Sequence, residues 1–378
     1  MNYDVLIAGG SVAGLLCARE IAKEGNSVLV IEEDYEIGTP EHCGGLVSMS
    51  GLEKLGVIPF GKTFNHLVES AIFYAPNGKS IQISSKKQRV GEISRRELDK
   101  QIAYQAQKNG AKIMVRTSFL ELTEERARTN EGEIKFKIFV DARGIAALSQ
   151  KDRSGILSSA QYEIYAEWIK KGEVKVYFDQ EKYPGFFAWV IPSNEGKGKV
   201  GVAGKGIKVS EVLEEFLQKK GDYSIIRKIF APIWIKGPIK KFVEGKTVII
   251  GDAAGQAKPT TSGGIYSSGM GGVLAGKAIS KFLKSNNPKD LDEYQKKWLE
   301  LFGEEFENQV MARRLLERFN NETINKLFEL IIPETLNEIS EKEDFDFHTG
   351  SIIKLLGIKG SLKTIQTIMG SEIKKLLP

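Results

Sequence analysis

Val5-Leu6-Ile7-Ala8-Gly9-Gly10-Ser11-Val12-Ala13-Gly14 stands near the start of the chain and decides its fold. Val5–Ala8 is apolar at every position, as a strand buried on both faces requires. Gly9–Gly14 makes a tight turn. Leu15–Lys23 then reads as a helix ended by Gly25, and Ser27–Ile31 as a second buried strand closed by Glu32-Glu33-Asp34. This is a βαβ unit of ordinary size. Gly9 and Gly14 take the first and third positions of the G-x-G-x-x-G fingerprint, and Ser11 takes the second. The N–H groups from Ser11 through Val12 and Ala13 to Gly14 are placed to meet a pyrophosphate, helped by the helix dipole. The Cβ of Ser11 limits how closely the backbone approaches, while its hydroxyl can itself bond phosphate. Glu32 lies 18 residues after Gly14, where a carboxylate binds ribose hydroxyls.

The chain has 378 residues, 41% hydrophobic and 27% charged, which excludes a disordered or fibrous polymer. Two or three structural units are expected at this length. There is no apolar run of the roughly 18 residues that a membrane-spanning helix needs. With a strand beginning at Tyr3, no leader is expected. Two cysteines (Cys17, Cys43) and three histidines (His42, His66, His348) exclude a disulfide scaffold and argue against a metal site. A reducing cytoplasm follows. A net charge of +5 is too weak to argue for nucleic acid, and it suits a solvated surface or one that visits an anionic membrane.

Further along, a Gly/Pro-rich stretch covers 38–61, hairpins 70–85, a helix Glu97–Lys108 and a meander 112–140, whose last strand runs Ile134–Val140. Residues 155–245 are strand-like, notably Glu173–Phe178, Phe186–Ile191 and Lys199–Ala203, with a helix at Ser210–Gln218. Gly201–Gly206 reads as a turn. Thr247–Ile250 returns to a buried strand, and 273–378 reads as helical. The fold class expected is α/β: a Rossmann-like nucleotide domain split in sequence (1–150 and 246–285), an inserted β-rich substrate domain (151–245) and a C-terminal helical region (286–378). Residues 62–88 are open to joining the substrate domain.

The βαβ unit alone fits NAD or FAD. A second glycine segment chooses between them. Gly251-Asp252-Ala253-Ala254-Gly255 follows the strand Thr247–Ile250, and Gly263-Gly264-Ile265 begins the next helix. Asp252 can bond a ribityl hydroxyl, and the amides at Gly263, Gly264 and Ile265 can stabilise charge on a reduced isoalloxazine. FAD is the cofactor expected.

Several segments carry a family resemblance over about residues 1–285: the opening fingerprint, Cys43-Gly44-Gly45, Ser94-Arg95-Arg96-Glu97-Leu98-Asp99, Asp141-Ala142-Arg143-Gly144 and Gly251–Gly264. The chain resembles flavoproteins of the p-hydroxybenzoate hydroxylase fold group. Within them it is similar to the geranylgeranyl reductases, including the archaeal digeranylgeranylglycerophospholipid reductases. The most selective match is Pro184–Pro192, which resembles P-x-x-Y-x-W-x-F-P with Phe187 for Tyr and Ile191 for Phe. The resemblance implies that Arg95 lies near the FAD phosphates, that Asp141 and Gly144 form a turn by the pyrophosphate, and that Cys43 and Gly44 lie near the flavin ring. The bland readings are a solvated helix start for Arg95 and Arg96 and an ordinary strand-end turn for Asp141.

Phe186, Phe187 and Trp189 crowd one segment, and period 2 puts Phe187 and Trp189 on one strand face. By the resemblance this face lines a polyprenyl pocket, where each buried methylene contributes about 0.8 kcal/mol. By itself the pattern is ordinary core. Saturating an isolated alkene takes a hydride at the tertiary carbon and a proton at the other. Cys43 is the candidate acid, a small buried thiol is its bland alternative, and His42 is a lesser candidate. Cys17 reads as core. The electron donor is NADPH or a small redox protein. The basic, apolar segment 351–378 suggests peripheral contact at the inner membrane face, against a bland reading as packed helix. The expected activity is an FAD-dependent geranylgeranyl reductase acting on archaeal ether-lipid precursors. The alternatives are an FAD monooxygenase of the same fold and a non-catalytic polyprenyl-lipid-binding flavoprotein.

Overall fold

Val5–Ala8 is buried along its whole length and pairs in parallel with both Val28–Ile31 and Ile138–Asp141. Residues 2–84, 87, 89–342 and 345–347 are described in the computed structural model of the chain. Among them, six strands form the first sheet in the order Val243–Glu244, Thr247–Ile249, Ile138–Asp141, Val5–Ala8, Val28–Ile31 and Lys112–Met114. Only Val243–Glu244 runs antiparallel to its neighbour. Strands from three distant stretches thus build one nucleotide-type sheet, split in sequence.

The helix after the first strand starts at Val12, not Leu15, because the Ser11 carbonyl already accepts the N–H of Leu15 at 2.9 Å. Val12–Ala22 is buried and lies against the helix Ile265–Ser285. The two backbones approach so closely that a Cβ on Gly272 would fall 2.1 Å from the Ala13 carbonyl oxygen. The helix Lys289–Leu316 places Tyr294, Trp298, Phe302 and Phe306 on one buried face and joins the same core. Two shorter helices, Asn321–Leu330 and Pro333–Lys342, follow. The segment 351–378, to which membrane contact was assigned, lies outside the described residues.

The opposite face of the first sheet is covered by the meander Phe119–Leu122, Arg126–Thr129 and Gly132–Lys135. The expected single strand Ile134–Val140 is therefore two. Gly132–Lys135 closes the meander, and the chain then crosses at Phe136-Lys137 into the parallel strand Ile138–Asp141. Phe136 stays buried against Phe139 at the crossing, which preserves the apolar alternation that hid the break.

The second large sheet has seven described strands, ordered Ser224–Trp234, Ile156–Tyr165, Lys197–Gly204, Ala188–Asn194, Glu173–Tyr177, Ser70–Tyr74 and Ser80–Ile83. Residues 70–83 thus pair within the β-rich part. Phe64–Leu67 instead joins Val90–Ile93 and Leu46–Ser48 in a small three-stranded sheet. Gly201 and Gly204 lie within a strand rather than a turn.

Candidate active site and cofactor cleft

The glycine turn admits no side chains at its tightest points. Gly9 has φ +114°, and a Cβ there would stand 2.2 Å from the Ala142 carbonyl oxygen. A Cβ on Gly14 would stand 2.0 Å from the Gly9 carbonyl oxygen. Ser11 is exposed and its hydroxyl makes no capping bond, so it is available to a ligand. Val12 and Ala13 are buried. Glu32 accepts the Gly10 N–H at 2.7 Å and the Asp34 N–H at 3.1 Å, which fixes its carboxylate at the mouth of the turn.

Asp141 ends its strand beside this turn. Arg143, not singled out from the sequence, grips it through two bonds of 2.9 and 2.8 Å while lying over the Phe119 ring. Gly144 (φ +66°) starts the helix Ile145–Lys151. A cation and a second helix start therefore accompany the acid beside the glycine turn.

Arg95 begins the helix Arg95–Lys108, whose cap Ser94 accepts the Glu97 N–H. It is not solvated. Its side chain keeps only 17% exposure and bonds both oxygens of buried Asp99. Burial alone would lower the guanidinium pKa, but Asp99 outweighs it and the net direction is up. Its Nε is buried with no partner among the described residues. Arg96 turns outward to Glu36, so the solvated reading belongs to Arg96.

Asp252 and the loop before Ile265–Ser285 come together. A Cβ on Gly264 would lie 3.3 Å from Asp252 Oδ1, and Ser268 donates to the same oxygen at 3.2 Å. Burial raises the Asp252 pKa, opposed by Ser268 and Arg95. Gly263 and Gly264 immediately precede the first helical residue, Ile265. An FAD fits these residues. The turn excludes a side chain at Gly9 and at Gly14 and leaves the Ser11 hydroxyl open, a buried guanidinium N–H lacks an acceptor among the described residues, and an acid faces a helix start.

The Cys43 loop sits between the small sheet and the seven-stranded sheet. The Gly45 N–H donates to Cys43 Sγ at 3.3 Å, with Gly45 at φ +87°. Below it lies a charge cluster that the sequence did not reveal. Lys199, 4% exposed, reaches Glu41 at 3.0 Å and Glu92 at 3.4 Å, and its Nζ also donates to the Gly44 carbonyl at 3.4 Å. Arg227 bridges Glu41 and Glu163 at 3.4 and 3.0 Å. Burial pushes the Glu92 pKa up against the pull of Lys199. Burial pulls Lys199 down, but Glu41 and Glu92 together raise it.

Residues 4–61 match the FAD binding domain family. The chain is 30% identical over 367 residues to the digeranylgeranylglycerophospholipid reductase of Methanocaldococcus jannaschii, covering 90% of this chain and 93% of that protein. This chain belongs to the FAD-dependent geranylgeranyl reductase family. It is 28% identical to the digeranylgeranylglycerophospholipid reductase of Methanococcus vannielii, over 89% of this chain and 92% of that one. A geranylgeranyl bacteriochlorophyll reductase-like structure from Thermoplasma acidophilum superposes with a TM-score of 0.86 at 23% identity, covering 97% and 99% of the two chains. A p-nitrophenol 4-monooxygenase from Pseudomonas putida shares the fold more distantly, with a TM-score of 0.66 at 14% identity over 89% and 98%.

Membership makes the chain an FAD-dependent oxidoreductase and directs attention to Pro184–Pro192. The strand there is Ala188–Asn194, so Phe186 and Phe187 precede it, in and just after a turn closed by the Phe186 N–H on the Tyr183 carbonyl. The expected two-residue face for Phe187 and Trp189 is not made by one strand. The rings meet nonetheless. Phe186 and Phe187 stack at 4.1 Å, and Trp189 stands edge-on to both at 6.3 and 6.2 Å. Phe178, also missed in the sequence, packs edge-on against Phe187. Trp189 Nε1 donates to Gln161 Oε1 at 3.0 Å, and Gln161 Nε2 donates at 3.4 Å to the carbonyls of His42 and Cys43.

Proposed function

We propose that this protein saturates carbon–carbon double bonds of geranylgeranyl chains on an archaeal-type ether-lipid precursor, with FAD resident in the cleft. The observation that carries the reading is the link between an aromatic cluster and the cysteine loop: Trp189 reaches Gln161, and Gln161 reaches the carbonyl of Cys43. An aromatic wall of Phe186, Phe187 and Trp189 suits an apolar chain and excludes water from the reacting bond.

In this reading the amides from Ser11 to Gly14 hold the pyrophosphate, Glu32 a ribose, and Arg95 a phosphate through its free Nε. Asp141 and Gly144 close the phosphate end, and Asp252 holds the ribityl chain. The Gly263, Gly264 and Ile265 amides favour negative charge on the flavin ring, beside Cys43 and Gly44. A bound, reduced FAD would supply the hydride. The chain supplies the other half of the reaction: the Cys43 S–H bond breaks, its proton forms a C–H bond at the less substituted carbon, and solvent later reprotonates the sulfur. The two electrons come from NADPH or a small redox protein. A lipid substrate brings the protein to the inner membrane face as a peripheral visitor.

Cys43→Ala is expected to retain flavin and lose about a hundredfold in kcat, the lower end of general-acid contributions. Steady-state turnover on digeranylgeranylglycerophospholipid, with the flavin spectrum as the check on loading, makes the measurement. A variant with full flavin and unchanged turnover would remove the thiol from the chemistry.

A further inference from the structure

Gln161, Gly201 and Trp189 stand in one row across three adjacent strands: Gln161 pairs with Gly201, and Gly201 pairs with Trp189. The middle position has no side chain, and the indole occupies the vacant space. A Cβ on Gly201 would lie 2.3 Å from the Trp189 ring. The ring therefore spans the central strand and brings its N–H to Gln161, which is 4% exposed.

That bond has a directional consequence. An indole nitrogen is donor only, so the amide of Gln161 must offer it oxygen. The amide cannot flip, and its NH₂ is held toward the carbonyls of His42 and Cys43. Both contacts are at the long end of the hydrogen-bond range. With the Lys199 bond to Gly44, the carbonyls of three successive loop residues are held by side chains from the seven-stranded sheet.

We propose that Gln161 is a positioning residue that sets the Cys43 loop, and that Trp189 acts on the loop through it by fixing the orientation of its amide. The aromatic wall and the backbone of the Cys43 loop then share one hydrogen-bonded unit. The expected effect on catalysis rests on the reading of Cys43 given above, whereas the positioning itself does not.

The test is a double-mutant cycle with Gln161→Met and Trp189→Phe in the FAD-loaded protein. Its first readout is the rate at which iodoacetamide modifies Cys43, followed by peptide mass. Cys17, fully buried, serves as the unreactive internal reference. Loss of a hydrogen bond of ordinary net strength predicts Cys43 modification about fivefold faster in Gln161→Met and about threefold faster in Trp189→Phe. The double variant should match Gln161→Met alone, because the indole N–H acts through the amide. Turnover of Gln161→Met should fall in kcat with KM changed less than about twofold, the mark of a group felt in the transition state rather than in binding. Wild-type modification rates in both single variants would overturn the proposal, and multiplying effects in the double variant would overturn the relay through Trp189. If Gln161→Met fails to retain flavin, Trp189→Phe carries the test against the wild type: a faster rate supports the proposal and an unchanged one rejects it. A Cys43→Ala variant with full turnover beside a coupled modification rate would defeat the chemical reading and leave the positioning standing.

Discussion

Lys199→Met is expected to destabilise the protein by about 3–5 kcal/mol, the cost of removing one partner from a buried ion pair. Lys199 is the cation in contact with both Glu41 and Glu92, which are 8% and 0% exposed. Methionine matches the stem and leaves two carboxylates close together without their shared counter-ion. Arg227 still touches Glu41 but does not reach Glu92 in the described contacts. The pH dependence gives the sign. In the wild type, Glu41 has a lowered pKa: burial raises it, and Lys199, the Arg95 N–H and Arg227 together more than offset that. Its stabilising contribution is present above the unfolded carboxyl value and is lost as pH falls through the folded one. In Lys199→Met the folded carboxyls should titrate above their unfolded values. The folded state then binds more protons, and acidification from about pH 7 to pH 5 should shrink the deficit. Urea unfolding at several pH values measures this. A variant within 1 kcal/mol of wild type, or a deficit that grows on acidification, would contradict the cluster as described, taking about 1 kcal/mol as the ordinary scale of a single substitution.

Gly14→Val is expected to abolish flavin retention through gel filtration. The new Cβ would sit 2.0 Å from the Gly9 carbonyl oxygen, a backbone atom that no side-chain rotation can move. Relief requires opening the turn, which carries away the amides proposed to meet the pyrophosphate. Overpacking of this kind costs roughly 1–3 kcal/mol in a core, and here the displaced groups are the amides proposed to hold the ligand. Ser11→Gly, by contrast, is expected to keep flavin, because Ser11 is exposed and its hydroxyl makes no capping bond. The two variants separate a steric demand on the turn from a general sensitivity of the segment. Flavin absorbance per protein, measured after desalting, decides it. Full occupancy in Gly14→Val would contradict the placement of the cofactor.

The nucleotide half of the fold was legible because its signals are local. Val5–Ala8 is apolar at each position, and Gly9 and Gly14 mark a turn whose steric demand the structure reproduces within a few residues. The break at Phe136-Lys137 was not legible, since both sides of it continue the same apolar alternation and the chain changes sheets without a glycine or proline. Gly201 looked like a turn residue. Its reason for being glycine is the indole of Trp189, on the neighbouring strand and visible only once the register is known. Lys199, Glu41, Glu92 and Gln161 were missed for a related cause. In sequence a buried charge or amide is identical to a solvated one, and Lys199 meets Glu41 across 158 positions. Arg143 has a weaker signal: it lies inside the Asp141–Gly144 turn, where the motif marks the acid and the glycine and leaves the residues between them open.

Anaerobic single turnover tests the central claim most directly. The purified flavoprotein would be reduced chemically and mixed with digeranylgeranylglycerophospholipid, and the flavin spectrum and lipid mass followed together. The account predicts flavin reoxidation matched by two hydrogens gained per flavin, with no oxygen present. A flavin that stays reduced beside unchanged lipid, but reoxidises with lipid oxygenation once oxygen is admitted, would contradict it and make the protein a monooxygenase.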